Sequence, residues 1–295
     1  MLTAPTDRTF TMLTFIIPLL SKRVSKSWRD TSDLLDRTLH SIYAQTSDRY
    51  QVFIVGNESP DLQLPDGVTF LPVNFPLPEK FDDPRKTTRA RERDRSAKVT
   101  YGLLHLHQTG DRDAYVMTVD ADDLISCRLV EFTERRARET PTPLGWFFHC
   151  GYRYHPGSKW IRSMRKGFDR LCGTSILTRL DAYYDLLKRY PALDLLDDEL
   201  WDKPEFSEIV DCYNDRYRHR TIIDTLAGLG KHLEPLPFPG SIYVQHGNSL
   251  SELFLRDDTK KKVSLKSRIL RVKTRYFDVR YFGKTLRREF GVADE

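Results

Sequence analysis

The sequence is short of cysteine and has no long apolar run. Its 295 residues hold four cysteines, Cys127, Cys150, Cys172 and Cys212, with no C-x-x-C pair among them. That argues against a zinc-binding array or a disulfide framework and leaves free, mostly buried thiols. No stretch of about 18 apolar residues occurs, so no transmembrane helix is expected. Residues 1–18 lack a basic segment followed by an apolar one and a small-residue cleavage site, so a reducing, cytoplasmic setting is expected. No internal repeat or low-complexity segment is found. What is present suffices for a sizeable core: 39% hydrophobic and 12% aromatic residues, with 30% charged and a net charge of +5. The length fits one large α/β domain, or a domain with an appendage.

Residues 115–119, Tyr-Val-Met-Thr-Val, read as a buried strand that stops in Asp120-Ala-Asp122-Asp123. Carboxylates crowded at the end of a buried strand repel one another and are costly to desolvate. A divalent cation removes that cost. Such oxygen ligands suit Mg²⁺ or Mn²⁺, held by one or two carboxylates plus substrate phosphates. Open α/β sheets place ligands beyond the carboxyl ends of their strands. The pattern predicts a metal–diphosphate site; the competing reading is an Asp-rich turn that caps a helix.

Residues 14–20 read as the first strand, with Pro18 near its end, and 22–28 as a polar loop. Thr31 or Ser32 is the expected cap of a helix carrying Leu34, Leu35, Leu39, Ile42 and Tyr43 at helical spacing. Residues 51–55 form a second strand, which makes a βαβ unit with parallel pairing. Residues 68–73 are a short third strand, and the proline-bearing stretch 74–83 is loop. Residues 85–98 carry seven Lys/Arg against Glu92 and Asp94. They read as a solvated loop and first helical turn, or as a basic lid over phosphates. Residues 145–150 and 152–154 look like strand, with 159–162 returning as a hairpin. Cys172-Gly173-Thr174-Ser175 is a small-residue turn where a ligand can approach backbone. A final strand, 241–245, leads into His246-Gly-Asn-Ser249. An imidazole there can join carboxylates around Mn²⁺ more readily than around Mg²⁺. Trp146, Trp160 and Trp201 are candidates to stack on a sugar ring, although core or interface is the commoner fate.

Between Arg256 and Arg288, thirteen Lys/Arg stand against three Asp. Leu265, Ile269, Val272, Tyr276, Val279, Leu286 and Phe290 keep steps of three and four, the mark of an amphipathic helix with a break near Gly283. Two roles are open to it. It packs its stripe on the domain, or it lies on anionic lipid as a peripheral contact on the inner face of a membrane.

Four of these features occur in a familiar order: a strand ending in Pro, a strand ending in Gly56-Asn-Glu-Ser59, the Asp120-Ala-Asp122-Asp123 step, and His246-Gly-Asn-Ser249. With Leu35-Asp-Arg-Thr-Leu-His-Ser-Ile42 and Gln45-Thr46, they resemble the family-2-like GT-A glycosyltransferases over roughly residues 14–250. The resemblance implies an α/β fold with a mixed, mostly parallel sheet flanked by helices. It implies a catalytic domain, 1–255, with a donor half, 14–126, an acceptor half, 127–255, and the basic helical tail, 256–295. It further implies a UDP- or GDP-linked sugar donor and a glycan or lipid-linked acceptor. Pro18, Asn57 and Glu58 would then meet the nucleoside, and Asp120 the ribose. Asp122 would hold the metal with His246, and Lys98 or a neighbouring Arg would answer the diphosphate. Gly173, Thr174 and Ser175 would line the donor sugar or acceptor. The family often has Asp where Gly56 or Asn57 stands, so the base stays open.

Sugar transfer builds negative charge on the departing diphosphate, which a bridging cation stabilises. The acceptor hydroxyl needs a positioned base, worth about 10²–10⁴ in rate. In inverting members of the family, that base lies after the acceptor loop. Asp215 is the first candidate here, Asp211 the second and Asp197-Asp198-Glu199 the third. Two other classes compete. A nucleotidyltransferase acting on a sugar phosphate usually opens with a Gly-rich loop after its first strand, and Leu19-Leu-Ser-Lys-Arg23 has no Gly. A nucleic-acid binder would fit the +5 charge, but the acidic crevice argues against nucleic acid entering there.

Overall fold

The computed structural model describes residues 13–108, 113–188, 193–246 and 278–293. The first strand, β1 (Leu13–Pro18), is buried along its length. Its period-two alternation sends Leu13, Phe15 and Ile17 to one core and Ile16 to another, so both faces of the sheet must be covered. Helix α1 (Trp28–Tyr43) covers the first face with Leu35, Leu39 and Ile42. Helix α2 (Pro84–Gln108) covers the second with Val99, Leu103 and Leu106. Gly102 lets α2 lie close, since a Cβ there would meet Ile16 Cγ2 at 2.8 Å. Cutting any of these buried Leu or Ile side chains to alanine would cost about 2–5 kcal/mol.

Strands β2 (Tyr50–Gly56) and β3 (Val68–Pro72) continue the sheet in parallel on one side of β1. Strand β4 (Tyr115–Thr118) pairs in parallel on the other. Beyond it come β9 (Ile176–Arg179), β6 (Gly145–Phe147) and β10 (Glu234–Pro235). Among these strands β9 alone runs against the rest. A second sheet is built from β5 (Leu124–Ile125), β7 (Gly151–Tyr154), β8 (Trp160–Met164), β11 (Ser241–Val244) and β12 (Val279–Tyr281). The mixed, mostly parallel sheet flanked by helices is therefore present, and the hairpin of β7 and β8 forms as expected.

Three expectations need correction. The cap of α1 is Ser27, not Thr31 or Ser32: its Oγ accepts from the Asp30 amide at 3.2 Å, and Trp28 already belongs to the helix. The charged stretch 85–98 is helical from Pro84 onward. Proline is well placed at a helix start, where its missing N–H costs nothing. The third concerns the tail, of which residues 278–293 are described. Val279–Tyr281 is a strand, antiparallel to β8, and among the described tail residues only Lys284–Glu289 (α3) is helical. Val279 and Tyr281 alternate with Asp278 and Arg280 at a period of two, and pairing with β8 holds them as a strand. Phe282 and Phe290 share a core with Leu124, Tyr152, Ile161 and Ile242. The 255/256 boundary, the stripe from Leu265 to Tyr276, Asn248 and Ser249 all lie outside the described residues. No helix among the described residues is long and apolar enough to cross a membrane.

Candidate functional site

The chain leaves β1 toward β2 on one side and reaches β4, on the other side, from β3. Helices α1 and α2 thus take opposite faces, and a crevice opens past the carboxyl ends of β1 and β4. A cavity of about 570 Å³ lies there. Its apolar part is Pro18, Leu19, Leu20, Val24 and Leu34. Its charged lining comes from Lys26, from α1 through Asp30, Asp33 and Arg37, from α2 through Arg91, Asp94, Arg95 and Lys98, and from Asp120, Asp122 and His246. Positions 91, 94, 95 and 98 fall on one helix face, so a single stripe of α2 looks into the cavity.

Asp120 and Arg95 form an ion pair, with Arg95 Nε and Nη2 both 2.6 Å from Asp120 Oδ1. Burial pushes the Asp120 carboxyl up, Arg95 pulls it back, and Asp122 adds to the rise. For Arg95, burial works against the charge, yet Asp120 more than restores it and the guanidinium pKa is raised. Asp122 Oδ2 lies 2.6 Å from His246 Nε2. Asp123 faces the other way and is consumed by the fold. Its Oδ2 accepts from Thr174 Oγ1 at 2.7 Å and Cys172 Sγ at 3.1 Å, and its Oδ1 from the Val244 amide at 3.2 Å. Burial holds its pKa well above the usual carboxylate range. Asp123 therefore ties the 172–175 turn and β11 to the end of β4, and so fixes where Asp120, Asp122 and His246 stand. Thr174 Oγ1 also accepts from the Asp120 amide at 2.9 Å.

Gly173 backs this arrangement. A Cβ there would lie 2.7 Å from Arg95 Nη2 and would press on Asp120 Oδ2. Ser175 is buried and donates to the Cys172 carbonyl at 2.7 Å. Lys98 is fully buried, its Nζ donating to the Leu19 carbonyl and to Asp94 Oδ2, both at 2.9 Å. Burial raises the Asp94 carboxyl and Lys98 opposes it. Asp94 Oδ1 is buried with no hydrogen-bond partner among the described residues.

The structure thus gathers Pro18, Lys98, Asp120, Asp122 and His246 on one cavity, with Gly173 and Thr174 behind Asp120. It does not bring the other expected residues to that wall. Asn57 Nδ2 donates to the Phe75 carbonyl at 2.8 Å. Glu58 is spent on the β1–α1 loop, accepting from Ser21 Oγ at 2.8 Å, the Lys22 amide at 3.0 Å and Arg23 Nε at 3.0 Å. Burial tends to raise its carboxyl, but these donors outweigh burial and lower it. Asp211 pairs with Arg93 at 3.2 Å. Asp215 is exposed on the π-helical turn Tyr213–Tyr217. Asp197 is paired with Lys203. Trp146 is core, stacked on Tyr115 at 5.5 Å; Trp201 packs on Phe75 at 5.3 Å; Trp160 is exposed on β8. The sequence reading did not single out Arg91, Asp94 and Arg95 individually, although their three–four spacing within the basic run carried the signal.

Among the described residues no three His, Cys, Asp or Glu side chains are grouped to hold a metal. Asp120 also faces the cavity but is held by Arg95, which leaves one carboxylate and one imidazole side by side, Asp122 and His246. That set fits a cation that arrives with a diphosphate and takes its remaining ligands from it, and does not fit a resident ion. No family model matches the chain, and no curated protein does. Among solved structures it is similar to the 2-C-methyl-D-erythritol 4-phosphate cytidylyltransferase (IspD) of Francisella tularensis. The likeness has 12% identity and a TM-score of 0.41, and covers 84% of this chain and 99% of that chain.

Proposed function

We propose that the chain is a transferase that moves a sugar from a nucleoside-diphosphate sugar to an acceptor hydroxyl. The observation that carries this reading is a switch-point cavity whose lining joins apolar side chains, Pro18, Leu19, Leu20, Val24 and Leu34, to cations and carboxylates that include Arg91, Arg95 and Asp122. A nucleoside is flat and partly apolar, and Leu19, Leu20, Val24 and Leu34 suit it. Its diphosphate then reaches Arg91 and Arg95, with Asp122 and His246 to hold Mn²⁺ or Mg²⁺. When bound, the cation would neutralise charge that develops on the leaving diphosphate. The size, about 570 Å³, lies within the usual range for small-molecule sites, about 300–1,000 Å³.

In the reaction the bond between the sugar and the diphosphate breaks, and its electron pair leaves with the diphosphate. The acceptor oxygen forms the new bond and gives up its proton. On the family resemblance Asp215 remains the proposed base, although it stands off the cavity wall. Its carboxylate has no ion pair or hydrogen bond among the described residues, and it sits on a π-helical turn, a feature frequent at functional sites. Arg93 occupies Asp211, which stays second.

Nucleotidyl transfer onto a sugar phosphate is the second reading, favoured by Lys26 and Arg91 on the same cavity. Against it, Ser21 Oγ, the Lys22 amide and Arg23 Nε all point at Glu58, which takes three donors of the loop after β1 away from a triphosphate. Product analysis separates the two. Incubation with UDP- or GDP-sugars and Mn²⁺ should release the nucleoside diphosphate. Release of pyrophosphate from a nucleoside triphosphate and a sugar phosphate would replace the first reading by the second. If no nucleotide raises the melting temperature with or without Mn²⁺, both fall.

A further inference from the structure

Strands β8 and β12 pair so that Tyr281 stands opposite Trp160 and Val279 opposite Arg162. Alternation puts these four on one face of the ribbon, while Ile161 and Phe282 point inward and are buried. The outward aromatics are largely in solvent, Trp160 at 58% and Tyr281 at 62% exposure, with Val279 at 41%. The two rings meet edge to face at 5.9 Å. Exposed large apolar side chains gathered on one ribbon call for a partner. The surroundings are cationic. Lys159, Lys166, Lys284 and Arg288 are exposed, and Arg165 is 80% exposed beside Asp278 at 3.6 Å.

We propose that this face of the β8–β12 ribbon docks on an anionic phospholipid surface. Trp and Tyr with an apolar body and a polar tip favour the headgroup layer, and flanking Lys and Arg are drawn to anionic lipid. A second copy of the chain fits poorly, because it would bring the same cations face to face. A nucleic acid would suit the charge and the rings, but not aliphatic Val279. The sequence leading into β12, residues 263–277, also alternates apolar residues with cations in a way that nucleic acid does not require. Docking here goes beyond the proposed transfer reaction and does not depend on it.

The test is sedimentation of the full chain with vesicles of phosphatidylcholine containing phosphatidylserine, beside vesicles of phosphatidylcholine alone. Binding should require the anionic lipid. The double variant Trp160→Ser/Tyr281→Ser should bind roughly tenfold more weakly at an unchanged melting temperature, as expected when interfacial aromatics add to polybasic attraction. A second measurement needs no variant. Trp28 and Trp146 are buried, and Trp201 is half-buried against Phe75 and Phe206, so brominated lipid should quench chiefly Trp160. Absence of binding to the anionic vesicles, equal binding by the double variant, or no quenching on bound vesicles would overturn the proposal. So would an RNA affinity or a dimer that the same two substitutions abolish without altering vesicle binding.

Discussion

Asp94 and Lys98, one turn apart on α2, form an ion pair sealed from solvent, and Asp94 uses only one of its two oxygens. The pair also fixes the end of β1, because the Lys98 ammonium donates to the Leu19 carbonyl. Removing one partner leaves the other as an uncompensated buried charge. Lys98→Met should therefore cost about 3–5 kcal/mol in urea unfolding. The double variant Lys98→Met/Asp94→Leu should recover a substantial part of that loss, since a buried pair replaced by apolar side chains is often nearly neutral. Simple addition of the two single losses would show that the partners do not act as a pair.

Gly173 is the position at which the fold leaves no room for a side chain next to the Arg95–Asp120 pair. Gly173→Ala should push Asp120 and Arg95 apart, at about 1–3 kcal/mol, the usual cost of overpacking. Because Asp120 faces the cavity, the same change should weaken nucleotide binding more than a surface substitution of equal stability cost. Isothermal titration with UDP and GDP, set beside a destabilised control, checks this. Unchanged affinity in Gly173→Ala would show that the pair adjusts freely.

In the proposed function Asp122 and His246 would give a cation two ligands, so metal should bind more tightly with nucleotide than without it. The melting temperature should rise with UDP or GDP plus Mn²⁺ by more than the separate gains. At a hundredfold excess over Kd the stabilisation is about 2.7 kcal/mol. Asp122→Ala and His246→Ala should each remove the Mn²⁺-dependent part and keep the part due to nucleotide alone. A full synergistic shift in Asp122→Ala would place the cation elsewhere.

The βαβ opening and the strand ending at Asp120 were legible because buried parallel strands read as unbroken apolar runs, here in β1, β2 and β4. The start of α1 is hidden because polar Ser32 stands on the buried stripe between Trp28 and Leu35, so the unbroken apolar pattern begins late, while the cap, Ser27, sits in a polar loop. The three acids after β4 looked alike in sequence. Only the fold separates Asp123, which bonds Thr174 and Val244, from Asp120 and Asp122, which face the cavity. Glu58 and Asn57 enter as ligand contacts only through the family resemblance. Their hydrogen bonds cross to Ser21 and Phe75, and such long-range partners leave no local signal. The strand at Val279–Tyr281 was masked because Val279 also falls on the three–four stripe drawn from Leu265, although the strand leaves Val279 exposed.

His219 gives a prediction in pH. Both its ring nitrogens are buried with no hydrogen-bond partner among the described residues. Burial lowers its pKa well below the ordinary histidine value, and Arg95, Arg220 and Arg218 add to the fall. A group with a depressed folded-state pKa binds its proton more readily when unfolded. The stability it permits is full above the unfolded value, about 6.5, and is lost as pH falls below it, by up to about 1.4 kcal/mol per pH unit, until the folded-state pKa is reached. His219→Leu removes this proton uptake. Between pH 7 and pH 5 the wild type should therefore lose more stability than His219→Leu, by about 1–2 kcal/mol. Urea unfolding of both proteins across that range reads the difference directly, since every other group titrates alike in the two. Parallel pH curves would mean that the imidazole is protonated in the folded chain or finds a partner there.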